Sequence, residues 1–408
     1  MKVRLWLGGM ALWLACLPMA AGAADAEVDA AVASLLEGAK ASRSSAMLVM
    51  RDGEVLAEYY RGGKPPAPIE MMSATKSIVA LAIGALIGDG RIASLDAPVH
   101  TWYPEWKQGR KRDITLRMLM DHTSGLQNVM RADAEIYPAP DFVKLALAAE
   151  LDAEPGKVFA YNNKAMNLLA GIVAKASGSP MDEYLQRRLF APMGIQPGKW
   201  ERDPAGNPHA MSGLPLRAAD AAKLGQLVME GGRWNGQPLL PAAFVREMLA
   251  PSKQAEEYGL LWWRSPAWAR YGADERSFKT LRDAGVPADV IARLQALSGK
   301  RFADRSALIE AITGALGANA MDTWGREVAS KGLGLGKVFN IEIGPYVAYN
   351  ANGYLGQYIV IVPQAKLVAV RQVESSEDYR DSDGYDDFIQ RTLALADALV
   401  DGELKPLP

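Results

Sequence analysis

Ser73-Ala74-Thr75-Lys76 opens an apolar run, Ser77 to Ile87, that closes on Gly88-Asp89-Gly90. Ile78, Val79, Leu81, Ile83, Leu86 and Ile87 cover every side of a helical period, which predicts a buried helix. A serine three residues before a lysine on one helical face places Oγ and Nζ within reach of each other. The helix start adds unpaired N–H groups and the positive end of its dipole. A lysine held there, partly desolvated, can lose its proton near neutral pH. A neutral amine beside a hydroxyl is a general base beside a nucleophile, the chemistry of an acyl-enzyme that needs no histidine. The plainer alternative is a helix cap, with Ser73 capping and Lys76 pointing to solvent. An apolar helix argues against it, because a lysine in the first turn of a buried helix lies near the core.

Working outward, two hairpins are legible. Ala46 to Met50 and Val55 to Tyr60 flank Arg51-Asp52-Gly53-Glu54, and Tyr358 to Val362 and Leu367 to Arg371 flank Pro363-Gln364-Ala365-Lys366. Val28 to Ala39 and Asp387 to Val400 read as helices. Strands near both ends with helices between predict an α/β (α+β) fold: one antiparallel sheet built from both termini, flanked by helices. The sheet-containing domain is expected over 24–90 and 214–408, with a mainly helical domain inserted over 91–213.

Composition narrows the function classes. The 408 residues are 49% hydrophobic and 23% charged, with net charge −2 and both signs interspersed, so no nucleic-acid partner is expected. Lys2 and Arg4, the apolar stretch Leu5 to Ala20 and Ala21-Gly22-Ala23 fit a signal peptide over 1–23, which predicts a periplasmic or secreted protein. No later segment is long and apolar enough to span a bilayer. The single cysteine, Cys16, lies in that leader, so no disulfide is expected in the exported chain; lipidation at Cys16 fits poorly, with Trp13 where a leucine is expected. His100, His122 and His209 are the only histidines and none has ligand spacing to another, so neither a metal nor another cofactor is expected.

Two further segments supply candidate chemistry. Pro155-Gly156-Lys157-Val158-Phe159-Ala160-Tyr161-Asn162-Asn163 leads into a helix over Met166 to Ala174. A phenol at Tyr161 can relay protons between nucleophile and leaving group, and the amide of Asn163 can hold the lysine or a substrate carbonyl. The stretch Tyr349-Asn350-Ala351-Asn352-Gly353-Tyr354-Leu355-Gly356-Gln357, extended and broken by glycines, can turn backbone N–H groups toward a substrate carbonyl. A core tyrosine and an ordinary strand entry are the plainer readings of these two segments.

Taken together and in this order, Ser73-x-x-Lys76, Tyr161-x-Asn163 and the glycine-bearing third strand resemble the serine β-lactamase and penicillin-binding superfamily. The class C-like branch is the nearest in pattern, with its esterases, D-amino-acid peptidases and aminohexanoate-dimer hydrolases. Leu119-Met120-Asp121-His122-Thr123-Ser124-Gly125-Leu126, Leu189 to Gly194, Tyr258 to Trp263 and Trp200 with Asp203 and Gly206 add to the resemblance, which covers about 45–264 and 346–400. It implies Ser73 as nucleophile, Lys76 as base and Tyr161 as proton shuttle. It also implies Asn163 as orienting residue, and an oxyanion hole from the N–H groups of Ser73 and of Tyr354, just after Gly353. His122 is not expected to act as a base, since Asp121, His122 and Ser124 are too close in sequence to form a triad.

The sequence departs from that pattern twice. Relatives begin the third motif with Lys or His, then a hydroxyl; here Ala351 and Asn352 stand there, removing the groups that would receive a β-lactam carboxylate. The second departure is 265–345, where relatives have a short loop. Pro287 to Ala296, with Pro287 at the first helical position, and Ser306 to Leu316 read as helices, and the segment is expected to roof the cleft as a lid, the plainer alternative being a surface subdomain unrelated to substrate. The expectation is an exported serine hydrolase acting on a small ester, amide or peptide. Its alternatives are a β-lactamase, a D-alanyl carboxypeptidase or D-amino-acid peptidase, and a silent binding protein of the same fold.

Overall fold

The computed structural model describes residues 19–128, 131–317, 319–376, 385, 387–400 and 402–408. Most of the leader expected at the N-terminus, with Lys2, Arg4 and Cys16, lies outside the described residues. Helix α1 (Met19–Ala41) starts within the expected leader and runs through Ala23 and Ala24.

The centre is a six-stranded antiparallel sheet in the order β2-β1-β13-β12-β11-β7. Its strands are β1 (Ala46–Arg51), β2 (Glu54–Tyr60), β7 (Trp263–Pro266), β11 (Tyr346–Gly353), β12 (Gln357–Val362) and β13 (Leu367–Gln372). The β1–β2 turn forms because Asp52 (φ 50°) and Gly53 (φ 85°) accept the left-handed backbone of a two-residue hairpin loop. β1 pairs β13 from Ala46 opposite Gln372 to Arg51 opposite Leu367, so the two ends of the chain meet in mid-sheet as expected.

Both faces of the sheet are covered. Leu48, Met50, Ile359, Ile361, Val368 and Val370 face the larger core, which contains helix α2 (Thr75–Gly88). Met47, Val49, Val360 and Ala369 face the opposite way, against Leu35 of α1 and Phe388 and Leu395 of the helix Phe388–Leu399. Strands covered on both sides explain the near-continuous apolar runs in β12 and β13. α2 is buried from Thr75 to Leu86, which is why it is apolar all round. Gly84 is needed there, because a Cβ would stand 2.3 Å from the Phe244 ring.

Between 91 and 213 the regular structure of the described chain is short helices, Leu116–Met120, Phe142–Ala148 and Leu168–Ser177 among them, joined by long loops and with no strand of the central sheet. A small ladder of β3 (Ile69–Glu70) and β4 (Pro215–Leu216) brings the chain after this stretch beside the approach to Ser73. A two-stranded ribbon follows, β5 (Arg233–Trp234) and β6 (Gln237–Pro238).

The 265–345 segment differs from expectation in three ways. It is not only helical: β8 (Ala269–Gly272), β9 (Arg301–Phe302) and β10 (Asn340–Ile343) form their own sheet in the order β10-β8-β9. Its apolar faces do not need the cleft rim. Phe278, Leu281, Leu294, Leu308, Ile312 and Val338 bury against one another in a separate core. Its ends also sit away from the nucleophile. Pro266 pairs with Tyr346, while Gly353, at the other end of β11, is the residue that touches the Ser73 backbone. At about 3.3 Å per residue, entry and nucleophile lie roughly 20 Å apart along β11. A lid-like placement therefore gains nothing from this packing. Pro287 is the cap of Ala288–Leu294 and not its first residue; Asp274 and Asp304 cap the helices Glu275–Asp283 and Arg305–Leu316.

Candidate active site

Ser73 is not an α-helical cap. It lies in a single 3₁₀ turn, Met72–Ala74, that runs into α2 at Thr75. The turn is entered through Met72 at φ 49°, a left-handed backbone that is costly for a side chain with a Cβ. Lys76, one turn on, is 2% exposed, so the solvent-facing alternative fails. Its Nζ donates to Ser73 Oγ at 2.9 Å and to the carbonyl of Met211 at 2.8 Å. Burial pushes the Lys76 ammonium below its ordinary pKa, and the neighbouring Tyr161 phenol opposes that shift in part. A cation desolvated this way gives up its proton more readily, as a general base must.

Tyr161 closes the group. Lys76 Nζ stands 5.0 Å from the centroid of its ring. The ring sits between His122, with centroids 4.5 Å apart, and Trp263, stacked at 6.1 Å. The loop before the helix Asn163–Met166 is held by Asn162, whose Oδ1 accepts from the N–H of Ala165 at 2.8 Å and whose Nδ2 donates to the carbonyl of Leu126 at 2.7 Å. The amide expected to act, Asn163, keeps its Oδ1 buried with no hydrogen-bond partner among the described residues.

His122 is held neutral. Its Nδ1 accepts from the N–H of Asn162 at 3.2 Å, and burial, with Lys76 nearby, pushes its pKa down to about 3. Asp121 accepts from the N–H and hydroxyl of its neighbour Thr123, so no carboxylate–imidazole pair forms here.

The third strand reaches the nucleophile through Gly353. A Cβ there would lie 2.4 Å from the Met71 carbonyl oxygen and 3.0 Å from the Ser73 nitrogen, so only glycine permits this approach. Tyr354, 60% exposed at the rim, begins a turn in which Leu355 (φ 70°) and Gly356 (φ 90°) are both left-handed. Ala351 is fully buried in the larger core, and the Asn352 amide donates to Asn350 Oδ1 at 3.4 Å. The structure thus gathers Ser73, Lys76, Tyr161 and Gly353 at one point, with Tyr354 beside it. Neither Ala351 nor Asn352 brings a charge there.

Sequence reasoning missed the carbonyl of Met211 as the second acceptor for Lys76. It also missed Glu70, whose Oε1 accepts from the N–H of Gly213 at 2.9 Å and fixes the same loop. A third omission is the pair Lys164–Glu135 at 2.6 Å, with the lysine buried. Each joins residues far apart in sequence, and none has a local signal. Among the described residues, no group of three or more His, Cys, Asp or Glu is placed to hold a metal ion. No described helix is long and apolar enough to cross a membrane.

The β-lactamase family profile matches residues 28–393, and the chain belongs to that family. It is 28% identical over 227 residues to the 6-aminohexanoate-dimer hydrolase of Paenarthrobacter ureafaciens, covering 51% of this chain and 57% of that protein. It is 29% identical over 161 residues to PbpX of Bacillus subtilis (strain 168), a protein named for penicillin binding, covering 37% and 40%. The chain thus spans about half the length of these curated relatives. A penicillin-binding protein homologue from Caulobacter crescentus has the same fold, with a TM-score of 0.59 at 16% identity over 91% of this chain and 98% of that one. The fold and family are those of serine hydrolases with penicillin-binding, amidohydrolase and esterase members.

Proposed function

We propose that this protein is an exported serine hydrolase that cleaves small esters or amides through an acyl-enzyme on Ser73. The observation that carries the reading is the bond of 2.9 Å from the buried Lys76 Nζ to the half-buried Ser73 Oγ. In its neutral form Lys76 takes the hydroxyl proton as Oγ attacks the carbonyl carbon. The N–H groups of Ser73 and Tyr354 receive the developing oxyanion. The proton passes through Tyr161 to the departing oxygen or nitrogen, and a new Oγ–acyl bond replaces the broken one. Water then attacks the acyl-enzyme, the same groups move its proton, and Ser73 is restored.

The uncharged third strand favours neutral esters and amides over β-lactams and D-alanyl peptides, whose carboxylates would find no cation on it, Ala351 being buried in the core and Asn352 neutral. Export rests on the leader pattern before Ala24. Fluorophosphonate labelling followed by peptide mapping tests the reading. The adduct is expected on Ser73. An adduct on Ser124, or a purified chain that takes no label and turns over no ester, would end it, the second outcome in favour of a silent binding protein. N-terminal sequencing of the exported chain should begin at Ala24.

A further inference from the structure

The two N–H groups assigned to the oxyanion belong to segments 281 residues apart, at Ser73 and Tyr354. Their separation must be held to a few tenths of an ångström for both to reach one oxygen. Each donor has a left-handed, non-glycine neighbour: Met72 beside Ser73, and Leu355 beside Tyr354. Such residues are strained and persist only where the surroundings over-determine them. The surroundings here are specific. Leu355 and Val373 form a small buried apolar cluster with Met72 packed against it, apart from both large cores.

We propose that the end of β13 and the residue after it, Arg371-Gln372-Val373, are a clamp that sets the spacing of the oxyanion hole, with Val373 as its central positioning residue. The inference rests on the reading of Ser73 and Tyr354 as the oxyanion donors. Every member of the clamp reaches one or both sides. Val373 carries the side chains of Met72 and Leu355 together. Its backbone is bound twice by the buried side chain of Gln357: Nε2 donates to the Val373 carbonyl at 2.6 Å, and Oε1 accepts from the Val373 N–H at 2.9 Å. Arg371 Nη1 donates to the carbonyl of Gly356 at 3.2 Å, and its Nε donates to Ser44 Oγ at 2.7 Å. Gln372 Nε2 reaches the other side, donating to the Leu216 carbonyl at 3.0 Å and to Met71 Sδ at 3.1 Å. Residues 371 and 373 thus hold the Tyr354 turn, and residues 372 and 373 hold the approach to Ser73.

The test uses Val373→Ala, Val373→Ile and Arg371→Lys, with Leu393→Ala, a buried residue of the opposite core, as a control for lost stability. Relaxing the hole by a fraction of an ångström should lower kcat for p-nitrophenyl butyrate by about 10- to 100-fold in Val373→Ala. KM should stay unchanged, and affinity for phenylboronic acid, whose tetrahedral adduct places an oxygen in the hole, should fall in step with kcat. Val373→Ile, which keeps a branched side chain in the cluster, should leave both near wild type, and Arg371→Lys should fall in the same direction as Val373→Ala, which keeps the test decisive should Val373→Ala not fold. Leu393→Ala should lose stability without losing kcat or boronate affinity. Val373→Ala and Arg371→Lys with the kcat and boronate affinity of Leu393→Ala would overturn the clamp while Ser73 still takes the fluorophosphonate. Wild-type protein that takes no label on Ser73 would overturn the oxyanion reading itself, and the clamp with it.

Discussion

Gly353→Ala puts one methyl group where the structure has no room. Gly353 lies at φ −138°, ψ 157°, an extended backbone that alanine adopts freely, so the effect is steric alone. The new Cβ would meet the Met71 carbonyl oxygen at 2.4 Å, the Met72 Cβ at 2.9 Å and the Ser73 nitrogen at 3.0 Å. Non-bonded contacts of this kind settle near roughly 3.5 Å, so β11 and the Ser73 turn must part by about 1 Å. Overpacking of this kind costs about 1–3 kcal/mol of stability. A shift of about 1 Å in catalytic geometry costs about 100-fold in rate, close to the loss of one oxyanion donor. The variant should therefore fold, bind p-nitrophenyl butyrate with unchanged KM and turn it over about 100-fold more slowly. Steady-state kinetics and the rate of fluorophosphonate labelling measure the two sides of this claim. A folded Gly353→Ala protein with wild-type kcat would show that the approach of β11 to Ser73 does not set the reaction geometry.

Lys76→Ala and Tyr161→Phe should each lower kcat by about 10²–10⁴-fold, and the double variant far less than the product, since the two move one proton; multiplicative losses would separate their roles. Because Lys76 must be neutral to act and its pKa is depressed, kcat/KM should fall on the acid side as pH drops through that depressed value, and a profile with no acid limb anywhere the protein stays folded would argue against the lysine base. A cephalosporin should be a worse substrate than p-nitrophenyl butyrate, since losing one charge-assisted bond to its carboxylate costs about 1.5–3 kcal/mol, or about 10–150-fold; faster cephalosporin turnover would contradict this. His122 is neutral when folded, with a pKa of about 3, but binds a proton below its ordinary value of about 6.5 when unfolded. Its contribution is complete above that value and is lost as pH falls toward 3, about 2 kcal/mol between pH 7 and pH 5. Urea unfolding of wild type and His122→Gln should show losses of stability from pH 7 to pH 5 that differ by that amount, and equal losses would refute it. Joining Pro266 to Tyr346 by a short glycine turn in place of 267–345 should leave kcat/KM for short and long p-nitrophenyl esters unchanged, and a reordered ester preference would restore the segment to the cleft.

Much of the fold was legible because its signals are local. The hairpins at Asp52-Gly53 and Pro363 to Lys366, the apolar helix behind Ser73 and the helix over 388–399 announce themselves within a few residues. Ser73 and Lys76 were legible for the same reason, being one turn apart. Tyr161 and Gly353 needed the resemblance, because only the tertiary fold brings a loop of the inserted stretch and the end of β11 to Ser73. The partners that hold the site were not legible: Glu70 with Gly213, Lys76 with Met211, and Gln357 with Val373 meet across the chain without any pattern in spacing. The inner packing of the 265–345 segment was not legible for a physical reason. Amphipathic helices such as Glu275–Asp283 and Arg305–Leu316 announce a buried face but not the surface that buries it, and here they bury one another.

The pairing of β1 with β13 carries a consequence for the newly made chain. A polypeptide emerges from its N-terminus, so Ser73 and Lys76 are synthesised early, while β13 and the residues just beyond it come nearly last. Until Leu367 to Gln372 insert between β1 and β12, the first hairpin has no neighbour and the two turns beside the nucleophile have nothing to lean on. The surroundings that hold the Ser73 turn are therefore completed only when the last described strand is in place.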